Sequence, residues 1–275
     1  GKPLEGRSSM LAVIRGAGDI ASAIALRLVR CGASVFMTEI EQPLTVRRTV
    51  AFSEAVRMGK AQVEGVTAVR ARNVSHALEL LSGEDVIPVL VDPACACVKD
   101  AVPDAVVDAV LAKRNLGTSL DMAPIVVGVG PGFTAGVDCH AVVETMRGHT
   151  LGRAYYEGSA LPNTAVPGLV GGFAGERVLR APCDGVFRGV AAIGDHVEEG
   201  QAVAYVGDVL MVATLTGVLR GLIADGVQVH QGLKCGDVDP RGQSGYCGLV
   251  SDKGLAVAGG VLEAILHLSG TFSAR

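Results

Sequence analysis

Two glycine-rich turns stand where apolar runs end, and each has the composition of an anion site. The first, RGAGDIA, contains Gly16, Gly18 and Asp19, and the second, GVGPGFTAG, contains four glycines in the nine residues from Gly128 to Gly136. Glycine accepts positive φ angles and lets the backbone approach a bound group closely, so that free amide donors can face it. The two turns therefore predict two places where an anionic ligand could bind.

The first turn matches the fingerprint of a dinucleotide-binding fold. Gly16, Gly18 and Ala21 have the GxGxxA spacing, and Glu39 follows about 20 residues later, where an acidic side chain would bind a ribose hydroxyl. Asp19 places a carboxylate beside the expected phosphate, which it would repel unless a cation intervened. The spacing leaves two interpretations open: a nucleotide site, or a structural turn with an empty pocket.

Candidate groups for proton transfer follow the second turn. The pattern predicts a helix on which His140, Glu144 and Arg147 share one face, and a histidine–carboxylate pair beside free amides could hold or protonate a ligand. His140 and Glu144 are therefore the candidate catalytic residues. A solvated helix face with an incidental ion pair is the alternative. The residues assigned to cofactor binding in this turn are Gly128, Gly130, Gly132 and, as the helix cap, Asp138.

Arginines and cysteines supply further candidates. Arg47 and Arg48 follow the second predicted strand, and planar guanidinium groups bind phosphate or pterin oxygens well; ordinary surface arginines are the alternative. Cys95 and Cys97 could share a soft metal or carry a transferred chalcogen atom, whereas small buried thiols would look the same. No set of residues predicts a particular metal.

The elements that must position these groups begin with a strand, a turn, a helix and a strand. LAVIRGAGD and SVFMTE read as strands, and the residues from Ile20 to Cys31 read as a helix that ends at Gly32. Two further apolar runs, DVIPVLVD and PIVVGVG, read as buried parallel strands. Each ends in an acidic or glycine-rich turn, and ligands of parallel sheets bind at such carboxyl ends of the strands. We therefore expect an α/β fold, with a Rossmann-like doubly wound parallel sheet as the cofactor-binding domain over residues 10–150. The nine residues before Met10 are expected to lie outside it.

The second half contains an internal repeat. DGVFRGVAAIGDHVEEGQ and TGVLRGLIADGVQVHQGL share eight residues at a constant offset of 32, and each alternates apolar residues with turns as short strands do. The copies resemble the halves of the barrel-sandwich hybrid of biotinyl and lipoyl domains. We expect such an all-β domain over residues 165–250, followed by a C-terminal helix, 251–275, that packs back. The hairpin between the copies, VGDVLMVAT, lacks the lysine that carries biotin or lipoate, so neither is expected.

The composition argues against a nucleic-acid-binding protein and against a membrane-spanning protein. The 275 residues include 24 basic and 28 acidic side chains, a net charge of −4, and only 4% are aromatic, which argues against nucleic-acid binding. No apolar run approaches the roughly 20 residues of a membrane span, and seven scattered cysteines fit reduced thiols. We expect a cytoplasmic protein with neither a nucleic acid nor a membrane as partner; a homo-oligomer remains open.

Several long phrases resemble the accessory proteins of the selenium-dependent molybdenum hydroxylase system. They are GAGDIASAIALRL, TEIEQPLTVRRTVAFSEAV, DMAPIVVGVGPGFTAGVDCHAVVETMRGHTLGR, LPNTAVPGLVGG, GLKCGDVDPRG and SDKGLAVAGGVLEAIL. The first half is also similar to the accessory factor that matures xanthine dehydrogenase. The resemblance implies a maturation factor that binds molybdenum cofactor, with a molybdenum hydroxylase and a sulfur or selenium donor protein as partners.

On this resemblance, the glycine turns, Arg47 and Arg48 would bind the pyranopterin and its phosphate, with a nucleotide as a further candidate ligand. His140 and Glu144 would hold or protonate the exchanging molybdenum ligand. Two alternatives stay open: an NAD(P)-dependent oxidoreductase that uses the first turn, and a non-catalytic scaffold whose repeat domain docks the hydroxylase. The sequence leaves open whether the protein is an enzyme.

The missing hairpin lysine leads to a prediction about mass. We expect the intact mass of the purified protein to equal the sequence mass, apart from oxidation, because the segment from Gly207 to Gly217 contains no lysine to modify. Mass spectrometry of protein from a host with active biotin and lipoate ligases is the measurement. A covalent adduct on Lys234 or Lys253 would contradict the prediction.

Overall fold

A nine-stranded mixed sheet dominates residues 9–164 and 168–272, which the computed structural model describes. Its strands are β1 (Leu11–Arg15), β2 (Ser34–Glu39), β3 (Lys60–Val63), β4 (Val66–Ala71), β5 (Ile87–Val91), β6 (Ala105–Asp108), β7 (Ile125–Val129), β8 (Ala141–Val143) and β9 (Ala154–Tyr155). Their order is β3-β4-β5-β2-β1-β6-β7-β8-β9. The strands from β4 to β8 in this order are parallel, and β3 and β9 pair antiparallel at the two edges.

Helices pack on both faces of this sheet. They are α1 (Asp19–Arg30), α2 (Glu54–Met58), α3 (Val74–Gly83), α4 (Val98–Ala101) and α5 (Asp252–Leu268). Helices α1 and α5 share one apolar core, and α3 and α4 contribute to a second core. Gly254 brings α5 close to α1, since a Cβ there would lie 3.0 Å from the Cβ of Ala23. Within the described ranges, no helix combines the length and the hydropathy needed to cross a membrane.

The repeat region forms two four-stranded antiparallel sheets within the described residues. The strands are β10 (Val178–Arg180), β11 (Gly185–Gly189), β12 (His196–Val197), β13 (Ala202–Val206), β14 (Val209–Val212), β15 (Gly217–Leu222), β16 (Gln228–Val229) and β17 (Lys234–Asp239). The orders are β10-β17-β15-β12 and β14-β13-β11-β16, around one shared core. The repeat copies exchange strands, because β12 pairs with β15 and β16 pairs with β11. Each copy thus completes its partner's sheet.

The predicted fold class is wrong. The sequence predicts a Rossmann-like doubly wound parallel sheet followed by a biotinyl/lipoyl-like barrel-sandwich hybrid, whereas the chain forms a mixed sheet with antiparallel edges and two antiparallel sheets. One cause is β8, which replaces the helix predicted after the second glycine turn. Its residues are all 0% exposed, and β-branched valines favour a strand that is buried on both faces. The division into 10–150, 165–250 and 251–275 stays a prediction; residues 1–8, 165–167 and 273–275 lie outside the described residues.

Residues 46–49, the junction segment, join the large sheet to the small ones. The N–H of Leu222 in β15 donates to the Val46 carbonyl at 2.9 Å, and Arg48 Nε donates to the Leu222 carbonyl at 2.7 Å. A Cβ on Gly221 would lie 2.7 Å from Cγ1 of Val46. The close approach of the two backbones therefore requires glycine at this position of β15.

A buried ion network stabilises the small-sheet side of the junction. Asp237 pairs with Arg177 at 2.6 Å and with Nε of Arg220 at 2.6 Å, and Asp239 pairs with Arg241 at 2.6 Å. Both aspartates are 1% exposed. Burial by itself would raise the pKa of Asp239, but hydrogen bonds from the Arg241 side chain and backbone hold that pKa below its ordinary value.

We expect Asp239→Asn to lower the free energy of unfolding at pH 7 by about 3 kcal/mol, because it removes one partner of a buried network. A carboxyl whose pKa falls on folding stabilises the protein above its unfolded pKa, and that stabilisation is lost as the pH falls through the folded pKa. The difference from wild type in urea unfolding should therefore shrink below about pH 4. An equal loss with Asp208→Asn, at an exposed residue in the turn before β14, would contradict this.

Candidate functional site

The first glycine turn lies at the carboxyl edge of the large sheet, between β1 and α1. Gly16 has a φ angle of +98°, and its N–H donates to the Thr38 carbonyl at 2.8 Å. A Cβ on Gly16 would lie 2.9 Å from the Ala109 carbonyl oxygen. A side chain would therefore push apart the ends of β1 and β6, and the turn needs glycine at this position.

Four consecutive amides are free where this turn enters α1. In the described parts of the chain, the N–H groups of Gly18, Asp19, Ile20 and Ala21 have no acceptor, and Gly18 provides no side-chain cap. The N–H of Ser22 donates to the Gly18 carbonyl at 2.8 Å and starts the helical pattern. The start of a helix carries partial positive charge, so these amides favour a negatively charged group.

Glu39 is part of the turn. Its Oε2 accepts the N–H of Ala17 at 2.9 Å, and its Oε1 accepts the N–H of Ile40 at 2.8 Å. Burial raises the pKa of Glu39, and the two amides oppose that rise. Both carboxylate oxygens therefore already have a backbone donor, and the predicted contact with a ribose stays a prediction.

Arg15, which the sequence analysis missed, holds two loops at the same edge. Its side chain is 4% exposed and donates from Nε and Nη2 to the Pro93 carbonyl at 3.0 and 2.8 Å. Its Nη1 donates to Oγ1 of Thr118 at 3.1 Å and lies 3.4 Å from Oδ2 of Asp108. One buried guanidinium thus joins the loops that follow β5 and β6. Its place directly after the apolar residues of β1 was the sequence feature that could have indicated this role.

The second glycine turn uses its small residues for close packing. A Cβ on Gly128 would lie 2.4 Å from the Phe133 ring, and a Cβ on Gly132 would lie 2.5 Å from Cα of Arg114. Gly132 also has a φ angle of +109°. At these two glycines, the space that was predicted to hold a ligand is occupied by Phe133 and Arg114 of the protein itself.

Several amides of the second turn are also occupied. The N–H of Gly130 donates to the Val143 carbonyl at 2.9 Å, and the N–H of Thr134 donates to Oδ1 of Asp138 at 2.8 Å. Asp138 thus caps a turn rather than a helix, which corrects its predicted structural role. Fewer donors remain here than at the start of α1.

His140 and Glu144 do not share a helical face, because the chain between them is the strand β8. His140 Nδ1 accepts the N–H of Val126 at 2.9 Å, near the amino end of β7. Glu144 lies just beyond the carboxyl end of β8, and four residues of extended chain span about 13 Å. The predicted helix is wrong, and the structure does not bring the two side chains together.

Glu144 is a buried clamp for the loop after β8. The residue is 0% exposed, and its Oε1 accepts the N–H groups of Thr145 and Met146 at 2.9 and 2.8 Å. Its Oε2 accepts the N–H of Leu161 at 2.9 Å. The carboxylate is satisfied by backbone donors, so a catalytic role for Glu144 loses the geometric argument that suggested it.

Arg47 and Arg48 belong to the junction segment. Arg47 Nη2 donates to the carbonyls of Tyr246 and Leu249 at 2.8 and 3.2 Å, and Arg48 binds Leu222 as described above. Arg47 is 7% exposed, yet its Nε has no hydrogen-bond partner in the described residues. The two arginines that were predicted to bind phosphate thus mainly connect two parts of the chain, and only Nε of Arg47 lacks an acceptor among the described residues.

Two lysines that were not assigned to the site from the sequence belong to elements around the first turn. Lys253 lies in the first turn of α5, where the next residue, Gly254, packs against Ala23 of α1. Lys234 begins β17, which pairs with β15 at the junction. In the described parts of the chain, neither ammonium group has a hydrogen bond or an ion pair. The Lys234 side chain is exposed, yet desolvation by the surrounding protein lowers its pKa. Burial also lowers the pKa of Lys253. We call these lysines and the free amides of residues 18–21 the basic cluster.

Cys95 and Cys97 form a buried hydrogen-bonded pair. Cys95 and Cys97 are both buried, and a hydrogen bond from Cys97 lowers the pKa of Cys95 although burial opposes this. The same pairing, with burial, raises the pKa of Cys97. Among the described residues, no group of three or more histidine, cysteine, aspartate or glutamate side chains is placed to hold a metal ion.

Comparison with known sequences shows what the chain is similar to. The chain is 51% identical to "Uncharacterized protein YqeB" of Escherichia coli (strain K12) over 267 residues, which is 97% of the chain and 49% of the relative. The chain is similar to YqeB over nearly all of its own length. It spans about half the length of this curated relative. No model of a known protein family matches the chain.

Solved structures show only distant likeness. An aspartoacylase family protein from Mesorhizobium loti matches with a TM-score of 0.28 at 10% identity, over 84% of this chain and 85% of that one. A succinylglutamate desuccinylase/aspartoacylase from Rhodobacter sphaeroides matches with a TM-score of 0.27 at 11% identity, over 82% and 86% of the chains. Likeness at this level carries no argument about activity.

We expect Glu144→Gln to lower the free energy of unfolding by about 2 kcal/mol, because a side-chain amide nitrogen cannot accept the buried backbone N–H groups that the carboxylate binds. Chemical denaturation of the variant is the measurement, with Glu157→Gln, at an exposed position nearby, as the matched control. A variant that unfolds like wild type but no longer supports hydroxylase activity would instead favour the catalytic role.

Proposed function

We propose that the chain is an accessory protein for the maturation of selenium-dependent molybdenum hydroxylases and that it binds molybdenum cofactor, as cargo, for ligand exchange or delivery. The phrases that resemble the accessory family support this proposal. Its partners would be a molybdenum hydroxylase and a sulfur or selenium donor protein in the cytoplasm.

The observation that carries the proposal is the run of four free amides at the start of α1. Molybdenum cofactor is a pyranopterin that bears a phosphate and supplies the metal centre of the hydroxylase. Its phosphate fits a helix start whose donors have no internal acceptor. The carboxylate of Asp19 would repel a phosphate, but Lys234 and Lys253 offset that charge. The first turn, rather than the second, is the phosphate site in this proposal.

The oxidoreductase alternative has less support from the site. A nicotinamide dinucleotide would need an acidic side chain free to bind its ribose, and both oxygens of Glu39 already accept backbone amides. A scaffold without a ligand would have the same unpaired donors, since every helix start has them, so the assay for bound cofactor separates it from the proposal.

Gly18 offers a direct test. Its φ angle of −67° suits any residue, and a Cβ there would meet only Oγ1 of Thr45, at 3.9 Å. We expect Gly18→Asp to cap the free amides with its own carboxylate, so that the protein keeps or gains stability but loses its anion site. Protein purified anaerobically from a molybdenum-replete host would be assayed for molybdenum and for pterin fluorescence, and Gly18→Asp should contain neither.

Gly18→Ala is the matched control, because it adds a side chain but leaves the amides free. Wild type and Gly18→Ala should carry the cofactor in equal amounts. The proposal would be wrong if wild type carried no pterin or molybdenum, or if Gly18→Asp carried as much as Gly18→Ala. Bound reduced nicotinamide in place of pterin would favour the oxidoreductase.

A further inference from the structure

The turn after β5 carries two cysteines whose thiols meet inside the protein. Cys95 and Cys97 are 0% and 3% exposed, belong to one buried cluster and share a hydrogen bond between their thiols. Asp92 fixes the turn, because its carbonyl accepts the N–H of Cys95 at 3.0 Å and its Oδ2 accepts the N–H of Cys97 at 2.8 Å. Cα atoms two residues apart in a turn lie within the roughly 7 Å that a disulfide can span. The backbone therefore places the two sulfurs where a disulfide could join them.

A buried hydroxyl approaches Cys95 from the sheet. Thr38 lies on β2, two residues after Phe36 and opposite Leu90 of β5, and both of those side chains belong to the same cluster as the cysteines. Because alternate residues of a strand share a face, Thr38 points to the cysteine side of the sheet. Thr38 is 0% exposed, and among the described residues its Oγ1 has no partner other than the Cys95 sulfur. Buried hydroxyls are normally paired, so this donor is placed for one sulfur atom alone.

The surroundings make the two thiols unequal. The hydrogen bond from Cys97 lowers the pKa of Cys95, although burial opposes this. The Thr38 hydroxyl and the charge of Arg15 lower that pKa further, and the charge of Asp92 raises it. The hydrogen bond with Cys95, together with burial, raises the pKa of Cys97. Cys95 is thus the nucleophilic thiolate of the pair, and Cys97 is the thiol that stands beside it.

We infer that Cys95 and Cys97 are an oxidation site at which a hydroperoxide converts the two thiols into a disulfide. Ala94 and Ala96, on either side of Cys95, are exposed, so the sulfurs lie just below the surface of the turn. Burial of both thiols excludes a protein disulfide or another bulky oxidant, whereas hydrogen peroxide is small and uncharged. The inference is independent of the proposed function, since it needs no bound cofactor.

The reaction needs no oxidant besides the peroxide. The Cys95 thiolate attacks one peroxide oxygen and breaks the O–O bond, which leaves a sulfenic acid on Cys95 and, with one proton, releases water. The Cys97 sulfur then attacks the Cys95 sulfur, the S–S bond forms, and the hydroxyl leaves with the Cys97 proton as a second water molecule. The two thiols lose two electrons, and the two oxygens of the peroxide gain them.

Peptide mass spectrometry of the full chain after treatment with hydrogen peroxide at pH 7.5 tests the inference. A Cys31→Ser parent removes an exposed thiol, and the remaining thiols are alkylated after unfolding. We expect the peptide with Cys95 and Cys97 to lose two hydrogen atoms about tenfold or more faster than Cys139 is oxidised, since each pKa unit changes the thiolate fraction by about that factor. Cys139 is the matched control, because it is buried in the same cluster and burial raises its pKa to about 12.

Three variants separate the roles within the site. In Cys97→Ser the sulfenic acid has no thiol to condense with, so dimedone should label Cys95, whereas in Cys95→Ser we expect Cys97 to stay reduced. Thr38→Val should slow disulfide formation without lowering the free energy of unfolding, because the hydroxyl that it removes bonds no other group. A threonine that served only the fold would not change the rate of oxidation.

A disulfide that forms first at this pair and is reversed by dithiothreitol would uphold the inference. Oxidation of Cys95 no faster than that of Cys139 would overturn it, as would a parent protein in which Cys95 is oxidised while Cys97 keeps its thiol. An equal rate in the parent and in Thr38→Val would also contradict it. The first three of these readouts come from protein with both cysteines intact, so they stand even where a cysteine variant does not fold.

Discussion

The backbone hydrogen bond between Leu222 and Val46 is the contact on which the candidate site depends. It forms because Gly221 has no side chain to hold the junction segment away from β15. The neighbouring arginines then bind carbonyl groups across the same joint. Since β17 pairs with β15, this joint also decides where Lys234 stands relative to α1. The residues of the basic cluster thus come from both the large-sheet side and the small-sheet side of the joint.

The two kinds of basic side chain have different tasks here. Arginines fill the buried ion network, where the guanidinium fork can bind aspartates and carbonyls with defined geometry. Lys234 and Lys253, by contrast, have no hydrogen bond or ion pair among the described residues. A compact ammonium on a flexible stem can adjust to an incoming anion, and the cost of leaving it unpaired is small where water still reaches it. The arginines therefore hold the two parts of the chain together, and the lysines stay accessible to a ligand.

Much of the first turn could be predicted from the sequence, because its signals are local. The strands β1 and β2 and the helix α1 agree with the pattern, and Gly16 has the positive φ angle that a bare turn suggests. The second turn misled the prediction, since glycines required by packing against Phe133 and Arg114 look the same as glycines required by a ligand. Lys234 could not be assigned at all, because its neighbours are distant in the chain.

The repeat shows why symmetry in sequence does not give symmetry in chemistry. Arg188 and Arg220 occupy equivalent positions in the two copies, but Arg188 is exposed, with its guanidinium 4.9 Å from the centre of the Tyr205 ring, whereas Arg220 is buried on Asp237. Arg220 differs because β15 pairs with β17, which supplies the two buried aspartates that bind its guanidinium. The same strand bonds the junction segment through Leu222, so only the second copy of the repeat is part of the joint.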